Sequence, residues 1–278
     1  MGYWDNFIKQ ALEEDIRGGD YTTLATISPS STSKAKLLVK QQGILAGVEM
    51  AEQIVAYYDK ALQISIHIKD GSAIKEGDIA FVIEGPTRSI LTTERLILNY
   101  LQRMSGIATL THQFVKAVEG TGVKILDTRK TTPLFREAEK WAVRIGGGHN
   151  HRFGLYDMIL IKDNHIDASG SIEKAITSVH TFIKEKNFDL PIEIECRSMD
   201  ELQQILAVGG INRILLDNFS ADNVKEAVAL VDNKFETELS GHITLQNVRS
   251  YAEAKSTYIS VGALTHSYTS LDLSLKIY

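Results

Sequence analysis

The sequence predicts a two-part α/β chain, in which an α+β half with antiparallel strands precedes a closed or nearly closed parallel α/β barrel. Three observations carry this. Between about Ala35 and Glu84 the apolar runs are short and broken by glycine, as in KAKLLVKQQGILAG, LQISIHIKDG and DIAFVIEG, which is the pattern of antiparallel strands. Further on, six β-rich runs begin near Val123, Asp157, Pro191, Asn212, Lys234 and Tyr258, with helix-length segments between most of them. Strands alternating with helices imply a parallel sheet, and six such units approach closure. The length, 278 residues, suits one core plus an appendage.

The elements follow in order. Trp4, Phe7, Ile8, Ala11 and Leu12 stand at helical spacing, and that helix ends before Gly18 and Gly19. A second helical piece covers about Met50 to Tyr58. From Ser89 to Glu119 a long helical stretch is apolar on more than one face, with an interruption expected at Ser105-Gly106. A helix apolar all round is buried, often between domains or subunits. Each barrel run then ends in polar or glycine residues, where the active site of a parallel barrel lies.

Hydrophobic residues at 44% and charged residues at 23% exclude a disordered or fibrous chain. A net charge of -5 excludes a global attraction to nucleic acid or anionic membrane, so anion binding has to be local. The single cysteine, Cys196, excludes an intrachain disulfide and a multi-cysteine metal site, which fits a reducing compartment. No apolar run reaches the roughly 18 residues that span a bilayer. The first residues lack a signal peptide's basic start and continuous apolar stretch, so the expected location is the cytoplasm.

Positive charge is concentrated from Arg129 to His165, where seven Lys and Arg meet four acids. The same stretch holds Gly146-Gly147-Gly148-His149-Asn150-His151-Arg152, a run that brings backbone close to a ligand and then presents imidazole and guanidinium groups. Arg129, Lys130, Arg152 and Lys162 border apolar strands or this run and point to carboxylate and phosphate ligands. Arg136, Lys140 and Arg144, at helical spacing with Glu137 and Glu139 interleaved, read instead as an ordinary solvated face. Alternation puts Glu193, Glu195 and Arg197 on one face of their strand, where interior carboxylates need a cation nearby. Glu195 and Asp217, on successive strands, suit either Mg²⁺ or sugar hydroxyls. Ser240-Gly241 and Gly262-Ala263 follow the last two strands, where small residues let backbone N–H groups reach a phosphate. Cations for carboxylates, two acids for metal or ribose and a separate phosphate cradle are what a phosphoribosyl transfer needs.

Four longer motifs sharpen the reading: DTRKTTP from Asp127, EKWAVRIGGGHNHRFGLYDMILIKDNHI from Glu139, LLDNF around Asp217 and VGALTHS from Val261. In these the chain closely resembles the quinolinate phosphoribosyltransferase family, and the similarity runs from Ala11 to the C-terminus. The resemblance implies an N-terminal α/β sandwich over residues 1–110, rejoined by 268–278, and an incomplete α/β barrel over 111–267. It implies a magnesium-dependent glycosyltransferase of the pentosyl class, making nicotinate mononucleotide for NAD synthesis from quinolinate and phosphoribosyl diphosphate with loss of CO₂. It also implies a homodimer, or a higher oligomer built from it, in which Arg95 serves the other subunit's site. Arg129, His151, Arg152 and Lys162 match the pocket for the quinolinate carboxylates. Lys130, Glu195 and Asp217 match the diphosphate, ribose and magnesium contacts, with Lys130, Lys162, Glu195 and Asp217 as the catalytic set and Glu195 and Asp217 as metal ligands. Thr128, Ser240, Gly241, His242, Val261, Gly262, Ala263 and His266 complete the substrate contacts. Leu134-Phe135 stands where the family has Gly-Leu, and His242 where glycine or asparagine is common, so both loops are expected to rearrange.

Three rivals bear comparison. A barrel metal-dependent hydrolase would use His149, His151, Lys162, His165 and Asp217, but needs further histidines where this chain has Glu195 and Ser240. A sister phosphoribosyltransferase with another aromatic acceptor is closer, given Leu134 and His242. A non-catalytic anion binder has no need for acids beside the phosphate cradle. The other phosphoribosyltransferase fold, marked by two adjacent acids and a Thr-Gly-rich loop, is excluded, because RILLDNFS supplies one acid and no such loop.

Overall fold

The computed structural model describes residues 4–278; Met1, Gly2 and Tyr3, with which the expected first domain opens, lie outside the described residues. The chain divides into two compact units, the first running to Leu110 and taking in Arg144–Gly146 and Tyr268–Tyr278, the second comprising Thr111–Val143 and Gly147–Ser267.

The first unit begins with helices α1 (Asp5–Ile16) and α2 (Tyr21–Thr26), the latter capped by the Asp20 carboxylate, which accepts from the Thr23 amide. Strands β1 (Thr32–Val39) and β2 (Gly43–Ile44), helix α3 (Val48–Tyr58), and strands β3 (Gln63–Ile66), β4 (Ala73–Ile74) and β5 (Ile79–Pro86) follow. The last strand of the chain, β12 (Leu273–Ile277), returns to pair antiparallel with β1, giving a four-stranded sheet in the order β12-β1-β5-β3. Period-2 alternation sends Ala35, Leu37 and Val39 of β1 into the core.

Helix α4 (Thr87–Ala117) is continuous through Ser105-Gly106, where the sequence suggested a break. A glycine weakens a helix by only about 1 kcal/mol, and here both residues serve packing. Ser105 Oγ receives the Ala46 amide and donates to the Ala46 carbonyl, while Gly106 leaves room for the Thr269 carbonyl, into which a Cβ would run.

The second unit continues through β6 (Lys124–Leu126), α5 (Arg136–Ile145, whose last turn belongs to the first unit), β7 (Ile159–Ile161), α6 (Asp163–Ser169), α7 (Ile172–Lys186), β8 (Ile192–Cys196) and α8 (Met199–Val208). It ends with β9 (Arg213–Asp217), α9 (Ala221–Val231), β10 (Glu236–Ser240), α10 (Val248–Ala252), β11 (Tyr258–Ser260) and α11 (Ala263–His266). All six runs read as strands form the sheet, in the order β6-β11-β10-β9-β8-β7 with every pair parallel. Between the edge strands β6 and β7 no ladder forms, so the barrel is incomplete. A single bridge from Leu126 to His149 lines the edge of β6 with the segment after the glycine run. Ser171, Ser198 and Ser220 each cap the helix that follows by accepting a backbone amide, which starts α7, α8 and α9 at fixed points.

Gly106→Ala should therefore destabilise the protein by about 1–3 kcal/mol, the usual range for an overpacked core. Chemical denaturation of the two forms measures it, and an unchanged midpoint would contradict the close approach.

Candidate active site

The strands of the second unit send alternate side chains inward, and those nearest the carboxyl ends line a pocket of about 810 Å³. Thr128, Arg129 and Lys130 come from the loop after β6, His151 and Arg152 from the segment after the glycine run, and Lys162 from the end of β7. Glu195 and Asp217 enter from β8 and β9. Ser240, Gly241 and His242 follow β10, and Val261, Gly262, Ala263 and His266 follow β11. Arg95, exposed on α4 in the first unit, is not part of this lining. Leu160, Leu215, Asn218, Glu238, Ile243 and Ser260 line it as well and were not anticipated. For Leu160, Leu215, Glu238 and Ser260 the signal was available, since each stands two residues before a lining residue at or just past the end of its strand.

One part of the lining holds two neighbouring guanidiniums. Arg129 Nε is buried without a hydrogen-bond partner, and Arg152 donates from Nη1 to the Met158 carbonyl at 3.2 Å. Burial, and then the charge of Arg129, depress the Arg152 pKa. Two guanidiniums that repel each other in a half-dry pocket are suited to a carboxylate, which each can grip with a planar fork.

Beneath them lies a polar layer that the sequence did not announce. His151 Nε2 makes ionic contacts with Glu193 Oε2 at 3.1 Å and Glu238 Oε2 at 3.4 Å, and Arg213 Nη1 donates to Glu238 Oε2 at 3.0 Å. Arg213 also reaches Glu236 and stacks 4.1 Å over the Tyr258 ring. The cation owed to the interior carboxylates thus comes from β9 and from the glycine-run segment. Arg197, expected on the Glu195 face, sits beyond the end of β8 and pairs with Asp167 and Glu201 at the surface. His151, Glu193 and Glu238 place three ligand atoms within 4.8 Å, but Arg213 already supplies positive charge there. Burial and the neighbouring Glu238 push Glu193 up, whereas His151 and Arg213 hold Glu238 below the usual range despite its burial.

Burial alone would lower the His151 pKa, yet the two carboxylates override it and push the value up to about 9. The Arg152 amide, donating to Nδ1 at 2.6 Å, favours the neutral ring. Two ionic contacts outweigh one neutral donor. With Nε2 facing glutamates and Nδ1 facing backbone, both ring nitrogens are engaged within the protein.

Elsewhere in the lining, Lys162 Nζ contacts Glu195 Oε2 at 3.2 Å. Burial raises the Glu195 pKa and Lys162 partly offsets it. Asp217 accepts from Ser240 Oγ and, at 2.6 Å, from Asn218 Nδ2. The loop from Gly241 is held tightly: Gly241 has φ 98° and its Cβ would run into Asn218 Oδ1, and His242 takes φ 50° itself. Leu134 likewise adopts φ 63°, so left-handed backbone is held by a non-glycine residue in both loops. Lys130 is tethered by Thr265 Oγ1, which donates to its carbonyl at 2.8 Å, and its side-chain stem passes beside Gly262. The Val261 amide is spent on the Leu126 carbonyl, which leaves Val261 to contribute shape.

The supposed solvated face also needs correction. Arg136 donates to Thr131 Oγ1 and to the Phe153 carbonyl, and Lys140 is 1% exposed, paired with Asp127; only Arg144 is exposed. Helical spacing puts the three on one stripe without saying what covers it. The hydrolase histidines do not converge: His149 is exposed outside the lining, and His165 Nδ1 accepts the Lys162 amide at the start of α6.

A His151 raised above its unfolded value of 6.5 contributes stability that is complete below pH 6.5 and fades as pH rises through about 9. The stability gap between the natural protein and His151→Gln should narrow over that window, and NMR of the imidazole should give a midpoint near 9. A midpoint below 6.5 would show that burial and the Arg152 amide prevail.

The family model for the N-terminal domain of quinolinate phosphoribosyl transferase matches residues 20–105, and that for the C-terminal domain matches residues 107–276. A tobacco (Nicotiana tabacum) protein named quinolinate phosphoribosyltransferase [decarboxylating] 2b, mitochondrial, is 42% identical over 97% of this chain and 81% of its own length. Among solved structures, NadC from Streptococcus pyogenes aligns with a TM-score of 0.94 at 38% identity, over 99% of this chain and 96% of that one. The nicotinate-nucleotide pyrophosphorylase from Francisella tularensis aligns at 0.92 and 37%, over 99% and 95%. With both domains matched in order and the pocket at the carboxyl ends of the parallel strands, the chain belongs to the quinolinate phosphoribosyltransferase family.

Proposed function

We propose that the pocket binds quinolinate against Arg129, Arg152 and Lys162 and phosphoribosyl diphosphate across Lys130, Glu195, Asp217 and the two glycine loops. The observation that carries this is the division of one cavity into a side of mutually repelling guanidiniums and a side of acids beside small-residue loops. The chain is a decarboxylating quinolinate phosphoribosyltransferase of de novo NAD synthesis.

In the reaction the pyridine nitrogen of quinolinate attacks C1 of the ribose and diphosphate leaves with the bonding pair. The C2 carboxylate then departs as CO₂, its pair remains at C2 beside the now cationic nitrogen, and C2 takes up a proton to give nicotinate mononucleotide. The protein's part is to seat two polyanions that otherwise repel, which is worth several kcal/mol. Arg129 and Arg152 grip the carboxylates, and His151 adds its charge from below. Lys130 meets the charge that develops on the leaving diphosphate. Ser240, Gly241 and His242, with Gly262, Ala263 and His266, surround the 5-phosphate, and Thr128 shapes the loop between the two ends.

Magnesium fits the donor set of Glu195 and Asp217, two hard carboxylates lining the same cavity, as expected for an ion that takes few protein ligands and keeps its waters. When bound, Mg²⁺ neutralises diphosphate charge. We further propose a homodimer, with higher assembly built from it, in which Arg95 of one subunit completes its partner's site; the exposure of Arg95 on α4 supports this. We place the protein in the cytoplasm, since its one cysteine, Cys196, is buried and free. No helix among the described residues is long and apolar enough to cross a membrane.

The purified protein should convert quinolinate and phosphoribosyl diphosphate to nicotinate mononucleotide and CO₂ with Mg²⁺, and chelation should abolish turnover. In Arg152→Lys the charge stays and the fork is lost, so quinolinate affinity should fall roughly tenfold or more, as for one charge-assisted hydrogen bond. Calorimetry showing unchanged quinolinate binding would remove Arg152 from the acid pocket.

Arg95→Ala and Lys130→Ala homodimers should each lose most activity. After joint denaturation and refolding, about half the dimers are mixed and each has one whole site, which restores roughly a quarter of wild-type sites by symmetry. If Arg95 served its own subunit, mixing would restore nothing.

A further inference from the structure

We propose that Lys140 is a positioning residue for the acid-binding side of the pocket: through Asp127 it holds the loops that carry Arg129 and Arg152 at one fixed separation. The inference rests on the reading of those two arginines as quinolinate ligands.

Lys140 and Asp127 are 1% and 0% exposed, and Lys140 Nζ donates to Asp127 Oδ1 at 2.5 Å and to the His151 carbonyl at 3.0 Å. Asp127 Oδ1 also accepts the His151 amide at 2.8 Å, and Oδ2 accepts Asn150 Nδ2 at 2.5 Å. Asn150 Nδ2 in turn reaches the Lys140 carbonyl at 2.9 Å. The pair therefore grips the peptide groups on both sides of His151 and ties three elements together: the end of β6, the middle of α5 and the segment after the glycine run. Asp127 stands two residues before Arg129, and His151 immediately before Arg152.

The pair is an expensive way to fill that space. Burial lowers the Lys140 pKa and raises that of Asp127, and the mutual attraction offsets this only in part. Apolar residues of similar volume commonly do as well for stability as a buried ion pair. What apolar contacts lack is direction, and direction is what this site needs. Arg129 and Arg152 are close enough for the charge of Arg129 to depress the Arg152 pKa, so the two loops carry a mutual repulsion that a bound carboxylate would relieve. Directed bonds from Asp127 and Lys140 to the backbone resist that repulsion.

The test uses the full chain with Lys140→Met, Asp127→Asn and the double substitution, measuring Tm, kcat, KM for each substrate and quinolinate binding by calorimetry below every transition. Lys140→Met should weaken quinolinate binding about tenfold, the worth of a charge-assisted hydrogen bond, with a much smaller change in KM for phosphoribosyl diphosphate. The double variant removes the unpaired buried charge and should regain most of the lost Tm while binding quinolinate as weakly as Lys140→Met. If Lys140→Met fails to fold, the double variant carries the test alone. Wild-type quinolinate KM in either folded Lys140 variant would overturn the proposal, because a merely structural role makes binding follow Tm. Arg152→Lys, run alongside, separates the two readings: if it too leaves quinolinate binding unchanged, the pocket assignment has failed; if it alone weakens binding, only the clamp has.

Discussion

Glu193 and Glu238 lie inside the second unit at 0% and 1% exposure, directly below the pocket. A carboxylate taken out of water costs several kcal/mol, and breaking a buried pair costs as much again. Arg213 and His151 offset that cost, each from a different part of the chain, and much of the site depends on how they do so. Because Nε2 of His151 is committed downward to the glutamates, its backbone is fixed at the pocket floor, and Arg152 is the next residue. The barrel interior is thus a layer of paired charges under the guanidiniums of the pocket.

That arrangement explains why the pocket suits an anionic pair of substrates. The guanidiniums of Arg129 and Arg152 stand over the buried Glu193 and over Glu238, which lines the pocket. In the same lining Lys162 pairs with Glu195, and Asp217 is held by Ser240 and Asn218, so these acids are oriented before any ligand arrives. Preorganisation of this kind spares reorganisation in the transition state.

Left-handed backbone occurs beside the pocket as well as elsewhere in the chain. Leu134, Asn218 and His242 all adopt positive φ, a conformation that costs a non-glycine residue about 1–3 kcal/mol and persists only where the surroundings enforce it. Asn218 and His242 flank the Gly241 turn beside Asp217, and the Phe135 amide closes the Leu134 turn onto the Thr132 carbonyl. The hydrogen bonds around these turns hold the chain in that conformation.

The sequence by itself determined the six parallel strands, the first helix, the antiparallel first half and the polar residues that end the barrel strands. Each depends on periodicity or on a short motif, and these are properties of neighbouring residues. Only the tertiary structure decided that α4 runs unbroken through Gly106, that Lys140 is buried, that Arg197 turns to the surface, and that Arg213 neutralises the interior glutamates. In each case the deciding partner is distant in the chain: the Thr269 carbonyl, Asp127, Asp167, Glu238. Alternation and helical spacing say which side chains share a face, but the free energy of a charge or a glycine is set by what that face meets, and that is fixed only when the strands and helices are brought together.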